Sequence, residues 1–511
     1  MHTQYLPILT AGAKLGAMAE EKKQGFDVLI VGGGGAGLAS AIEARNLGAR
    51  TVLLEKNEEL GGTTSWSIGS FTAAQTPHQM AAGIDDSPDQ HFEDMPKFAE
   101  TDADRDNLTL RRLFVDNANE TLRWLMSMGV EFYGPMPEPP HTKPRMHNVL
   151  PNSRAYIHLL RRHAELIGVD IHCGVRAERF LLNDNRVVGI SGVGPNGPIE
   201  IAARAVVLAS GDYAASASLK AKYISEEISR VDPMNPSATG DGHKMAFPLG
   251  ARVINGDVFS GPNLRFVPPP KETIDRRLPP SRTLARAIKF GLKYAPSWAM
   301  RPFVLRFTTT SMAPELDFFK NGALLVNKRG EQIPGPAPEL GLRTAEQPEK
   351  ISYVILDATL ARRYSAWPNF IATASGVAYA YFNDFRKTRP DLYHASKTVS
   401  GLAVSLNQPA ANLQAAIAAH NEDGSNKLVE PPFFALGPAK SYIVLTDGGL
   451  AVNEELQLLG HQDKPIAGLW AAGSAGQGGL MLKGHGHHIG WAFTSGRIAG
   501  RNAAESVKKL G

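Results

Sequence analysis

Two glycine-rich stretches and one histidine cluster hold the residue types that can do chemistry. In Gly32-Gly33-Gly34-Gly35-Ala36-Gly37 the glycines at 32, 34 and 37 make a GxGxxG pattern. Gly32 permits a tight turn, Gly34 lets the backbone approach a pyrophosphate, and Gly37 lets a helix pack close to a strand. The helix start at Ala36 and Gly37 offers free N–H groups and a positive dipole end to phosphates. Glu55, followed by Lys56, is an acid placed for ribose hydroxyls. Gly61-Gly62-Thr63-Thr64-Ser65 is a second small, hydroxyl-rich loop. The histidine cluster is Lys483-Gly484-His485-Gly486-His487-His488-Ile489. An imidazole there can act as acid, base or carbonyl donor. No Cys, Asp or Glu stands beside it, and closely spaced loop histidines rarely converge on one ion, so no metal centre is expected. His147, after Arg145, and Tyr213, after Asp212, are further candidate acid–base groups. A surface basic loop and a core aromatic are the bland readings of these two.

The elements that position these groups follow from periodicity. Phe26–Val31 is a run of apolar and β-branched residues, read as a buried strand. A helical pattern follows, with Leu38, Ile42 and Leu47 on or near one face. A second apolar strand, Thr51–Leu54, ends at Glu55. Strand, glycine turn, helix, strand and terminal acid together predict a dinucleotide site, where a lone GxGxxG would be weak. A helix is predicted over 489–506, which puts His488 and Ile489 at its N-terminus.

Three separated pieces carry a resemblance. The glycine fingerprint is the first. Pro465–Gly479, containing Gly473 and Ser474, resembles the strand that brings the ribityl chain of FAD to its end in enzymes of the glutathione-reductase type. Ala203–Ala214, containing Ala209, Ser210 and Gly211, resembles the strand closing the same domain. Ser237–Gly242, Asn321–Glu331, Thr446–Glu455 and Gly496–Ala504 extend the likeness. Together they resemble the FAD-dependent oxidoreductase 2 family, which holds fumarate reductase and succinate dehydrogenase flavoproteins and 3-ketosteroid dehydrogenases. The resemblance implies an α/β fold: a Rossmann-like FAD-binding domain over 26–249 and 443–511, with an inserted α+β capping domain over 250–442. It implies FAD held by the fingerprint residues, by 61–65, Val175, 209–211, Asp241, Gly473, Ser474, His488 and Ile489. The segment 62–70 lacks the histidine that carries covalent flavin in quinone-linked complexes, so FAD is expected to be non-covalent.

The departures bear on substrate. A dicarboxylate site needs several fixed cations. The positions where the resemblance would place them read Pro262-Asn263, Gln332–Pro336 and Val444–Gly449, and the expected arginine falls at Lys483. Only Arg343 is left as a cap arginine. The glycines at 484, 486 and 490 match the ketosteroid-dehydrogenase spacing, but the tyrosine that opens that segment is Leu482 here. The expectation is an enzyme that dehydrogenates a C–C bond α,β to a carbonyl in a cyclic ketone. A reductase of an unsaturated acid is the alternative, and a non-catalytic binding protein on the same fold is the alternative of another class.

Composition bounds the rest. The chain has 511 residues, a formal charge of +4 and one cysteine, Cys173, read as a buried spectator. One thiol excludes an intrachain disulfide and any Cys-ligated cluster, so the electron acceptor must be external: a quinone, a carrier or oxygen. Near-neutral charge shows no nucleic-acid footprint. Residues 1–25 read as a weakly ordered leader without signal-peptide form, no apolar span appears, and a cytoplasmic location is expected. Residues 276–314 hold eight basic side chains and no acid. Arg282, Arg286, Lys289 and Lys293 share one helical face, with Pro296, Trp298, Phe303 and Phe307 beyond. The bland reading is a solvated face, and the sharper one a weak membrane-surface contact through 282–307.

Overall fold

The computed structural model describes residues 25–269, 278–294, 301, 305, 308–310, 312–374, 378–423 and 426–510. The leader and Pro296, Trp298, Phe303 and Phe307 lie outside these residues.

The strand Phe26–Val31 forms as its apolar run predicts, and it takes the centre of a sheet. The order is Gln457–Leu459, Pro465–Ala471, Gly197–Leu208, Phe26–Val31, Thr51–Glu55, Asp170–Cys173. All neighbours are parallel except the first pair. Val28, Leu29, Ile30, Val52, Leu53, Val206 and Val207 are fully buried, as strands covered on both faces must be. Arg176–Asn183 and Arg186–Gly194 extend Gly197–Leu208 as an antiparallel meander.

Small residues decide how the first helix, Gly35–Asn46, meets the last, His487–Lys509. A Cβ on Gly496 would stand 2.4 Å from the Ala36 carbonyl oxygen, and one on Gly500 2.2 Å from that of Ser40. The two backbones therefore touch, and the Ser40 hydroxyl donates to the Gly496 carbonyl at 2.9 Å. The first helix therefore begins beside Phe493, inside the last helix, and its N-terminus opens on a cleft.

A second hydrophobic core spans Leu264–Ala439 and packs on a six-stranded sheet. Phe433–Ile443 is its hub, pairing with Asp232–Pro233, Asn263–Phe266, Ser352–Leu356 and Tyr393–Ser396. The chain enters and leaves this unit through two short antiparallel pairs, 253–254 with 449–450 and 259–260 with 445–446.

Several expectations shift. The loop at 61–65 is a helical turn, Gly62–Trp66, entered through Gly61 at φ +157°. The last helix starts two residues earlier than its periodicity shows, because Gly486 at φ +88° makes the turn into it. Cys173 is half-buried rather than buried. The basic helix Arg282–Tyr294 forms, with the Ser281 hydroxyl accepting from Leu284 N–H. Its basic face is turned onto Glu131, which meets Arg282 (3.3 Å), Arg286 (2.9 Å) and Lys289 (3.6 Å). Three of the four cations read as facing solvent or lipid thus tie this helix to the hairpin strand Glu131–Met136. No helix among the described residues is long and apolar enough to cross a membrane.

Candidate active site

A cleft of about 860 Å³, open to solvent, lies at the N-terminus of the helix Gly35–Asn46, with Ala492 of the last helix in its wall. Gly32, Gly34 and Ala36 line it, as do Glu55, Lys56, Gly62, Thr63 and Thr64. Val175, Ala209, Ser210, Gly211, Asp241, Gly473 and Ser474 complete the predicted part of the wall. Gly37 does not line it; a Cβ there would meet the Gly32 carbonyl oxygen at 1.8 Å, which is the close helix–strand packing its role requires. Gly61, Ser65, His488 and Ile489 also lie off the wall. The predicted site residues omit Asn57, Arg176, Asn235 and Ser237, of which Ser237 opens the Ser237–Gly242 motif and Arg176 starts a strand.

The wall is chemically suited to FAD. Glu55 is buried; its Oε2 accepts from Gly33 N–H at 2.7 Å and its Oε1 from Asn57 N–H at 2.9 Å, which fixes the carboxylate at the strand tip. Lys56 donates to Thr239 and Asp241, and Arg176 reaches Asp241 at 3.0 Å, so the rim is held by ion pairs. The Ser210 hydroxyl, buried in the wall, has no hydrogen-bond partner among the described residues. A buried orphan of this kind signals a polar group that belongs beside it. FAD would be held by the glycine turn at its pyrophosphate, by Glu55 at its ribose and by 62–64, 210 and 473–474 along its length.

The histidine loop splits three ways. His485 Nδ1 meets Glu138 Oε1 at 2.5 Å, and its backbone N–H donates to the same oxygen at 2.8 Å. The hydrogen bond that His485 donates to the Glu138 carboxylate raises the imidazole pKa above its usual value, against burial and the nearby Arg265. Its ring stays about half exposed, 49 %, while Glu138 is nearly covered. His487 is fully buried, with Nδ1 on the Lys483 carbonyl at 2.6 Å and Nε2 3.1 Å from His91 Nε2; burial takes its pKa down to about 4. His488 Nε2 meets the buried Asp447 Oδ1 at 2.7 Å. Beside that pair lies Asp212, fully buried, whose pKa burial pushes up to about 7.

The other candidates are placed elsewhere. His147 is buried, with Nε2 on the Thr76 hydroxyl at 2.9 Å and Nδ1 on the Phe71 carbonyl at 3.3 Å. Burial lowers its pKa to about 3. Arg145 is no surface residue: it is fully buried and forks onto Asp86, with Asp94 beside it. The Tyr213 hydroxyl donates to the Gly256 carbonyl at 2.6 Å, and burial raises its pKa, which disqualifies it as a base. Arg343 sits on the exposed side of the helix Leu340–Ala345 and pairs with Glu339 and Glu346. Lys483 stays half-buried beside the loop.

Comparison with known proteins agrees with this cleft. The family profile described as "FAD binding domain" matches residues 27–272 and 309–482. An NADH:fumarate oxidoreductase of Klebsiella pneumoniae is 23% identical over 94% of this chain; the chain spans about half, 48%, of that relative's length. A vinyl phenol reductase of Lactiplantibacillus plantarum is 25% identical over 96% of this chain and 98% of its own. Among solved structures, the open conformation of a flavocytochrome c3 fumarate reductase superposes with a TM-score of 0.71, at 23% identity over 99% of this chain and 83% of the other. The 3-ketosteroid Δ1-dehydrogenase of Sterolibacterium denitrificans does so with a TM-score of 0.62, at 17% identity over 94% and 99%. The chain belongs to the FAD binding domain family, and FAD is its cofactor.

Proposed function

We propose that this flavoprotein moves two hydrogens across a C–C bond conjugated to a carbonyl, in a substrate that is not a dicarboxylate. The His485–Glu138 dyad carries this reading: a half-exposed imidazole, fixed by a covered carboxylate, on the loop that opens the last helix, whose Ala492 lines the cofactor cleft. A base held by a third group is the geometry that acid–base catalysis needs. In the dehydrogenating direction His485 takes the proton α to the carbonyl, and in the reducing direction it returns one. FAD, when bound, supplies the two-electron acceptor or donor for the hydrogen on the β carbon. Glu138 holds the ring and favours its charged form.

Two cap cations speak against a dicarboxylate, while Arg265 lies near His485. Arg343 is on the surface, and Arg389 is spent on Asp391 and on the Val267 carbonyl. The names of the relatives, a fumarate oxidoreductase and a vinyl phenol reductase, favour reduction as the direction. The ketosteroid-dehydrogenase fold likeness supports a cyclic ketone or enone as substrate. An external acceptor or donor of electrons completes the cycle, because the one cysteine permits no Cys-ligated relay within the chain.

The test is anaerobic titration of the holoprotein. Oxidised flavin is titrated with ketosteroids and cyclohexanones, and photoreduced flavin with enones, vinyl phenols and fumarate. Bleaching by ketones, or recolouring by enones but not fumarate, supports the proposal. Recolouring by fumarate alone overturns it.

A further inference from the structure

We propose that His91, His141 and His487 form a binding site for one divalent transition-metal ion of the zinc type, apart from the residues that line the FAD cleft. The reading is independent of the reaction proposed above. The three come from separate elements: the helix Pro88–Asp94, the loop before Met146, and the first turn of the last helix. Each offers one ring nitrogen, and the three nitrogens lie within 4.8 Å of one another. All three side chains are buried.

The spacing suits an ion. Two imidazole nitrogens bound at 2.0–2.1 Å in tetrahedral geometry stand about 3.3 Å apart. His91 Nε2 and His487 Nε2 are 3.1 Å apart. A plain hydrogen bond explains that pair but not the cluster. It leaves His141 Nε2 buried with no partner among the described residues, and such an orphan carries a desolvation cost.

Outer contacts fit ligation. The His487 Nδ1–H donates to the Lys483 carbonyl, which leaves the Nε2 lone pair facing the cluster. That is the usual outer bond of a metal-bound histidine. His141 Nδ1 lies 3.1 Å from Arg145 Nη1 and 3.9 Å from Asp94 Oδ2. In the empty cluster Arg145 donates to that nitrogen. Ligation through Nε2 needs the proton on Nδ1, so the Arg145 guanidinium must turn away from that nitrogen when an ion binds. The surrounding carboxylates add negative charge: Asp86 and Asp94 pair with Arg145 and the half-exposed Lys97, and Glu138 pairs with His485.

The experiment loads untagged, EDTA-treated holoprotein with zinc sulfate, dialyses it, and counts zinc and flavin per chain. One zinc per flavin is expected. His91→Gln and His141→Gln should each retain at least tenfold less zinc with flavin content unchanged. Retention below a tenth of an equivalent in the wild type overturns the proposal, as does undiminished zinc in both variants. If a variant fails to fold, the zinc X-ray absorption spectrum of the wild type decides: scattering from three imidazoles supports the site, and an oxygen-only shell overturns it.

Discussion

Replacing Glu138 by Gln isolates the charge behind His485. One oxygen, Oε1, takes both the Nδ1–H and the backbone N–H of His485. The other, Oε2, is buried with no hydrogen-bond partner among the described residues, so an amide nitrogen can occupy its place without breaking a bond. Glutamine therefore keeps an acceptor for His485 and removes only the charge. A hydrogen bond to a charged group is worth about 1.5–3 kcal/mol net. The His485 ring is 49 % exposed, which places the loss at the lower end, about 1.5–2 kcal/mol. That corresponds to a fall of about 10–30-fold in turnover, at about 1.4 kcal/mol per tenfold. His485→Gln removes the acid–base group itself and should cost about 10²–10⁴-fold. If the carboxylate acts only through the ring, the double variant is no slower than His485→Gln alone. The assay is single-turnover recolouring of photoreduced flavin, with flavin content and melting temperature as controls. Glu138→Gln within twofold of wild type, or a double variant slower than His485→Gln by the full Glu138→Gln factor, would refute the dyad.

Other outcomes follow from packing and charge. Gly37→Val should yield protein with little bound flavin, read as the ratio of flavin to protein absorbance, because a side chain cannot share 1.8 Å with the Gly32 carbonyl oxygen. Denaturing the holoprotein in acid should release free FAD to the supernatant, and a yellow pellet would show a covalent link. Asp212 has a folded pKa of about 7 against 3.8 unfolded, so its neutral form is the one that fits the fold. Its contribution is complete below pH 4 and is lost as pH rises to 7, up to ~4 kcal/mol. Asp212→Asn should therefore melt higher than wild type at pH 8 and equally at pH 4. Glu131→Ala should leave Arg282, Arg286 and Lys289 mutually repelling, and speed tryptic cleavage within 282–294 several-fold at low salt.

The cofactor cleft was legible because its parts are local. One βαβ unit of about thirty residues writes its own turn, close packing and terminal acid into adjacent positions, and Gly32, Gly34, Gly37 and Glu55 take those places. The acid–base site was only half legible. His485 is visible in its loop, but Glu138 lies 347 residues away and carries no motif. The neighbouring histidines part company because the turn at Gly486 sends His487 into the core and His488 toward Asp447. The pairing of Arg343 with Glu339 and Glu346 was not legible, because order along the chain says nothing about which face of a short helix is exposed. The basic helix was read correctly as amphipathic, while its partner Glu131 belongs to a hairpin that periodicity cannot link to it.

The central claim is that His485 transfers a proton to or from carbon beside a carbonyl at the flavin. Its most direct test mixes photoreduced wild-type and His485→Gln holoprotein with a cyclic enone in stopped flow and identifies the product. The account predicts the saturated ketone as product, with recolouring at least about 10²-fold slower in the variant at equal flavin content. Equal rates in the two proteins, or recolouring without a saturated product, would contradict it.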